Sequence, residues 1–140
     1  MPSIDTGAAM ETAAREVLET MFFTEPLEEP LPAAGPRVCA AVRFEGGLAG
    51  RFSACAEVDA AKELAATFLG QDGEPSAEAV AEVMGELANM ICGSVLARVA
   101  PEAALRIIPE SRGPCPGTHA GGKLRALPLA GGTLELRLEM

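Results

Sequence analysis

Two polar side chains that could do chemistry lie three residues apart in the segment GELANMIC, residues 85–92. Glu86 carries a carboxylate that can form an ion pair, and Asn89 carries an amide that both donates and accepts hydrogen bonds. An amide is too weak a base to take a proton, so Asn89 would act by holding another molecule in position. Asparagine is also disfavoured inside a helix, which makes its place in this apolar segment a question.

The segment around this pair has the hydrophobic period of one long helix. Ser76 is a predicted N-cap, the pattern runs to about Val99, and Pro101 ends it. At roughly 100° per residue, the apolar positions share one line that should face the core. These positions are Val80, Val83, Met84, Leu87, Ile91 and Val95.

A polar stripe occupies the opposite side of the predicted helix. It consists of Glu82, Glu86, Asn89 and Gly93, so the two candidate site residues share one surface. Gly85 and Gly93 each cost a helix interior about 0.5–1 kcal/mol relative to alanine. Small residues beside a polar stripe would let another surface approach the helix backbone closely, so both glycines are predicted to serve partner binding.

Other interpretations of these polar residues remain open. Glu and Asn are common on the solvated faces of helices, and the three-residue spacing alone favours that interpretation. Cys115 and His119 share one loop and could form a nucleophile pair, but the Gly-rich loop offers little to hold them rigidly.

The four cysteines are predicted to be free thiols. Cys39, Cys55, Cys92 and Cys115 form no CxxC pair, and His119 is the single histidine, so neither a zinc site nor a structural disulfide is expected. Reduction and chelation should therefore leave the fold intact.

Composition excludes several classes of partner. The 140 residues, 49% hydrophobic, suffice for one core, so residues 1–140 are read as one domain in which residues 1–6 are flexible. A formal net charge of -9 argues against nucleic acid and against an anionic membrane surface. The N-terminus lacks the blocks of a signal peptide, and no apolar run approaches the roughly 20 residues of a span, so a cytoplasmic protein is expected.

The remaining pattern predicts helices and β-hairpins in alternation. A first helix covers residues 7–22, and strands near residues 38–44 and 48–57 flank a Gly46–Gly47 turn. A short helix capped by Asp59 precedes the long one. Then follow a strand at 103–109, a loop at 110–121 and a hairpin turning at Gly131–Gly132. The predicted class is α+β, with helices packed on an antiparallel sheet in two helix–hairpin halves.

The stretch AEVMGELANMICGSVLA, residues 81–97, resembles the signature helix of the CheC/CheX family of chemotaxis phosphatases. That family has an ExxN pair followed by MI-x-G, and Glu86, Asn89, Met90, Ile91 and Gly93 fall in those places. REVLETMFF, residues 15–23, is similar to the opening helix of the CheX branch. The order of helices and hairpins agrees over nearly the whole chain.

The chain departs from the family pattern at three points. Glu82 stands where the pattern commonly has Asp or Ser, and the nearest counterparts of a downstream proline, Pro109 and Pro114, do not have the usual offset. The first helix lacks the second ExxN of CheC proteins. The single site is typical of the CheX branch, whose members pair as homodimers.

The resemblance implies an enzyme that hydrolyses the aspartyl phosphate of a CheY-like response-regulator receiver domain. It assigns Asn89 to orienting the attacking water and Glu86 to an ion pair with the receiver's phosphate-binding lysine, with Glu82, Gly85 and Gly93 at the partner surface. No cofactor of its own is expected, and Mg²⁺ is expected in the receiver. The alternative is a non-catalytic domain that docks on a receiver, a flagellar switch or another signalling partner.

Overall fold

The computed structural model describes residues 5–28, 35–70, 73–114 and 122–140, which form three helices and five strands. The order along the chain alternates helices and hairpins, as the sequence pattern predicts. The elements are α1 (Thr6–Met21), β1 (Arg37–Gly46), β2 (Gly50–Glu57), α2 (Val58–Leu69), α3 (Ala77–Val99), β3 (Leu105–Pro114), β4 (Lys123–Leu129) and β5 (Gly132–Glu139).

The five strands form one antiparallel sheet in the order β3-β1-β2-β5-β4. Alternate residues of β1 and β5 are buried, because the helices cover one face of the sheet. Leu134, Leu136 and Leu138 are all buried, as their alternation with Glu135, Arg137 and Glu139 predicts. The α+β class and the two hairpins are confirmed.

The helix ends follow from local hydrogen bonding. Asp5 accepts the Ala8 N–H at 3.1 Å and Ser76 accepts the Ala79 N–H at 3.1 Å, so each caps its helix as predicted. Of the stretch predicted to be flexible, Asp5 and Thr6 form the start of α1, and residues 1–4 lie outside the described residues.

The predicted cap of the short helix is wrong. Glu57, and not Asp59, is the N-cap of α2, and its side chain makes no capping bond. Glu57 Oε1 instead accepts the Thr133 N–H of β5 at 3.0 Å, which ties the start of α2 to the sheet. Gly70 ends α2 in the left-handed region, at φ 66, as its position predicts.

The third strand is longer than its sequence pattern suggests. A loop was expected from residue 110, yet β3 continues to Pro114 and stays paired with β1 through a register shift between Ala41 and Val42. Pro109, Gly113 and Pro114 resemble loop residues, but an edge strand tolerates both proline and a bulge.

The long helix α3 is the centre of the domain. It packs against β1, β3, α1 and α2, and its predicted core positions are all buried. Among the described helices it is the one whose length and apolar composition would suffice to cross a bilayer, although half of its apolar window is buried inside the fold. A core helix of this length passes the same test.

The prediction that all the cysteines are free is wrong for Cys39 and Cys55, which form a disulfide between β1 and β2. The two residues are opposite each other in the hairpin, with Cα atoms 4.0 Å apart, so their side chains share one face of the sheet. Cys92 is a free thiol buried in α3. Cys115 and His119, weighed above as an alternative nucleophile pair, lie outside the described residues.

We therefore expect reduction to destabilise the purified, oxidised protein. The disulfide joins residues separated by 16 positions, and closing a loop of that size contributes up to about 3 kcal/mol through the unfolded chain. Urea denaturation with and without reductant measures this effect. The control is the Cys39→Ala/Cys55→Ala protein, whose midpoint should not respond to reductant. An equal response in both proteins would contradict the assignment.

Candidate functional site

The polar stripe of α3 lies on the surface, as its helical period predicts. Glu82, Glu86 and Asn89 are exposed, while Gly85 and Gly93 are partly exposed. The neighbouring apolar positions are buried against the sheet and the other helices. The backbone of a 23-residue helix therefore holds Glu86 and Asn89 one turn apart, facing outward.

A groove of about 520 Å³ runs between α3 and the edge strand β3. Three residues of α3 line one side, and β3 with a short part of β1 lines the other. The α3 residues are Gly85, Glu86 and Asn89; those of the strands are Ala41, Val42, Ile107, Pro109, Glu110, Ser111 and Arg112. The site is thus an open surface feature with the two candidate residues on its wall.

The structure brings together part of the predicted set of site residues. Glu86, Asn89 and Gly85 share the groove, whereas Glu82 and Gly93 lie on the same stripe of α3 outside its lining. No group of three or more metal-ligating side chains occurs among the residues that the structure describes. Glu86 and Asn89 present a carboxylate and an amide to the groove from a rigid helix.

The two glycines are not required by the internal packing. A Cβ at Gly85 would lie 3.4 Å from Cδ of Arg112, and one at Gly93 would lie 3.7 Å from Cδ1 of Ile107. Both are ordinary van der Waals distances, so an alanine fits at either position. The free energy that each glycine costs the helix is therefore not offset by a contact that the structure describes. Their role in partner binding stays a prediction.

Two lining residues of the groove, Arg112 and Pro109, were not predicted from the sequence to lie beside α3. Arg112 was assigned to the loop after residue 109, and nothing in the pattern signalled that β3 continues to it. Pro109 was considered as the counterpart of the family's downstream proline, and the structure places it in the lining of the same groove as Asn89. Sequence spacing alone offered no way to choose it over Pro114.

A smaller cavity of about 240 Å³ lies on the face of the sheet that the helices leave uncovered. It is lined by the disulfide residue Cys39 and by charged side chains that include Arg51, Arg137 and Glu139. Arg51 forms an ion pair with Glu110. This cavity contains none of the predicted site residues, so the groove beside α3 is the better candidate site.

Comparison with known proteins identifies a family model that matches part of the chain. Residues 38–111, a little more than half of the chain, match the family model described as chemotaxis phosphatase CheX, and this range contains Glu86 and Asn89. No curated protein matches the chain by sequence.

Solved structures of three proteins have a similar fold. The CheX–CheY–BeF3–Mg²⁺ complex from Borrelia burgdorferi has a TM-score of 0.71 at 20% identity and covers 96% of this chain and 97% of its own. CheX from Vibrio vulnificus has a TM-score of 0.69 at 19% identity, covering 99% and 97%. The FliM middle domain from Vibrio alginolyticus has a TM-score of 0.57 at 12% identity, covering 96% and 90%.

The room beside Gly85 and Gly93 gives a stability prediction. Gly85→Ala and Gly93→Ala should each raise the free energy of unfolding by about 0.5–1 kcal/mol, because alanine favours the helix and meets no steric conflict. Urea denaturation of each variant beside the wild type measures the change. A lower free energy of unfolding would show that packing against β3 requires glycine at these positions. The glycines would then no longer indicate a partner surface.

Proposed function

The chain belongs to the CheX family of chemotaxis phosphatases, and from this premise we propose that it hydrolyses the aspartyl phosphate of a CheY-like response-regulator receiver domain. The observation that carries the proposal is the exposed pair on α3. Glu86 and Asn89 lie one turn apart on the wall of an open groove, where another protein can reach them. An open groove of this kind fits the surface of a phosphorylated protein better than a small molecule that needs an enclosed pocket.

Asn89 is proposed to position the attacking water. Hydrolysis of an acyl phosphate needs a water in line with the phosphorus and its leaving oxygen. The Asn89 amide oxygen can accept a hydrogen from that water while its NH₂ donates to a phosphoryl oxygen. The rigid helix limits the motion of the amide, which makes positioning effective.

Glu86 is proposed to anchor the partner through an ion pair with the receiver's phosphate-binding lysine. An exposed carboxylate one turn from Asn89 can do this at the edge of the same contact. The chain is proposed to need no cofactor of its own. Mg²⁺ belongs to the receiver in this scheme, where it neutralises charge on the phosphoryl oxygens.

The rest of the polar stripe is proposed to shape the partner surface. Gly85 and Gly93 leave the α3 backbone accessible, and Glu82 extends the exposed acidic side one turn toward the start of the helix. The room beside both glycines supports this role, because the domain itself would accept alanine there.

We also propose that the protein works in the cytoplasm as a homodimer. The sheet ends in two edge strands, β3 and β4, and pairing of edges between copies is one way to cover them. Light scattering at micromolar concentration should give about twice the 14.4 kDa mass of the chain. A monomer mass at every concentration tested would contradict this.

A second candidate is a non-catalytic docking domain. Two observations favour this alternative. The fold is similar to that of the FliM middle domain, and Glu82 stands where the family commonly has Asp or Ser. Such a domain would bind a receiver or a flagellar-switch protein without turnover. The experiment below separates the two functions.

Asn89→Ala should abolish accelerated dephosphorylation of a phosphorylated receiver while leaving receiver binding nearly unchanged. An interaction made only in the transition state contributes to turnover and not to uniform binding. Asn89→Asp should be no better, because it loses the NH₂ and adds a negative charge beside the phosphoryl group. The measurements are the loss of labelled phosphate and, in parallel, the dissociation constant for each of a panel of receivers.

Glu86→Ala is the matched contrast in that experiment. Removing an interfacial charge should weaken binding as well as turnover, and the loss should shrink at high salt. Acceleration by Asn89→Ala equal to that of the wild type would refute the mechanism. A wild type that binds phosphorylated receivers without speeding their decay would make the docking function the correct one.

A further inference from the structure

The edge strand β3 contains a β-bulge beside the groove. Ser111 is opposite Ala41 in β1, whereas Pro109 is opposite Val42, so β3 has one extra residue, Glu110, between two consecutive residues of its neighbour. Bulges often re-aim a side chain next to a functional site.

The extra residue changes which side chains of β3 face the helix. Ile107 and Pro109 are opposite Phe44 and Val42, two residues buried beneath the helices. Strict alternation would next turn Ser111 toward α3 and Arg112 away from it. The bulge reverses this order, so Arg112 is opposite the buried Ala40 and faces α3.

Arg112 consequently lies across the polar stripe of α3. Its Cδ is 3.4 Å and its Nη1 3.7 Å from the point where a Cβ of Gly85 would be. Asn89 is one turn further along the helix, about 6 Å at 1.5 Å per residue. A guanidinium at this place can reach a group that Asn89 contacts.

The charge of Arg112 is available to a ligand. The side chain is exposed, and within the described part of the chain it has no ion-pair partner. The neighbouring Glu110 is paired with Arg51 instead. The charged side chains that line the groove are therefore Glu86, the paired Glu110 and a guanidinium free to receive an anion.

We propose that Arg112 is a phosphoryl-binding residue that makes the site specific for the phosphorylated form of its partner; this rests on the proposed function. The guanidinium would donate hydrogen bonds to phosphoryl oxygens from β3 while Asn89 contacts the same group from α3. The bulge is the feature of the fold that brings the two residues to one ligand.

The test compares binding to a receiver domain with and without beryllofluoride activation, which mimics the phosphoryl group. Wild type should prefer the activated form, and Arg112→Ala should lose roughly 10- to 100-fold of that preference, the size expected of charge-assisted hydrogen bonds. Arg112→Gln keeps most of the side-chain packing over Gly85 and should show the same loss. Arg112→Lys should restore part of it. Circular dichroism confirms that each variant is folded.

Arg106→Ala is the matched control, because Arg106 is exposed on the same strand but is opposite Glu45, on the other face. It should bind like the wild type. If Arg112→Ala also binds like the wild type, or weakens both receiver forms equally, the proposal is wrong while the phosphatase function stands. If the wild type neither binds nor dephosphorylates any receiver, the proposed function and this inference fall together.

Discussion

The arrangement of the domain depends on one helix, α3, which is buried along one side and exposed to solvent along the other. The apolar side of α3 joins the sheet, α1 and α2 into one core, so its backbone cannot shift without disturbing that packing. The opposite side of the helix is held equally rigidly, although it is not buried itself. Glu86 and Asn89 are therefore held by the whole core, although neither is part of it. An exposed site usually lies on a loop, and here the helix replaces it.

The edge position of β3 has an equally large effect on the site. An interior strand would be paired on both sides, whereas β3 is bonded to β1 alone and can accommodate Pro109 and the bulge at Glu110. The groove exists because this irregular edge runs alongside α3. Regular pairing of β3 would point a different side chain at the helix, so the chemistry of the groove is determined by the register as much as by residue type.

Much of the fold and of the candidate site could be predicted from the sequence, and the predictions that were wrong failed for physical reasons. Helical period placed the core face and polar stripe of α3 correctly, because the buried residues of the helix recur at the spacing of helical turns. The disulfide was missed because the cysteines were judged by their spacing along the chain, whereas pairing of β1 with β2 makes Cys39 and Cys55 opposite neighbours. Arg112 was missed because a bulge breaks the alternation that identifies a strand. Both errors concern which residues face each other across paired strands, and the spacing along the chain does not show this directly.

The burial of Cys92 in α3 determines how the rigidity of this helix can be measured. Burial raises the pKa of its thiol to about 12, so almost no reactive thiolate exists at neutral pH while the helix is packed. Reaction of Cys92 with a thiol reagent requires the core around it to open, and the rate at which Cys92 is labelled then reports the free energy of that opening. The same helix presents Glu86 and Asn89, so the label measures how rigidly the site is held.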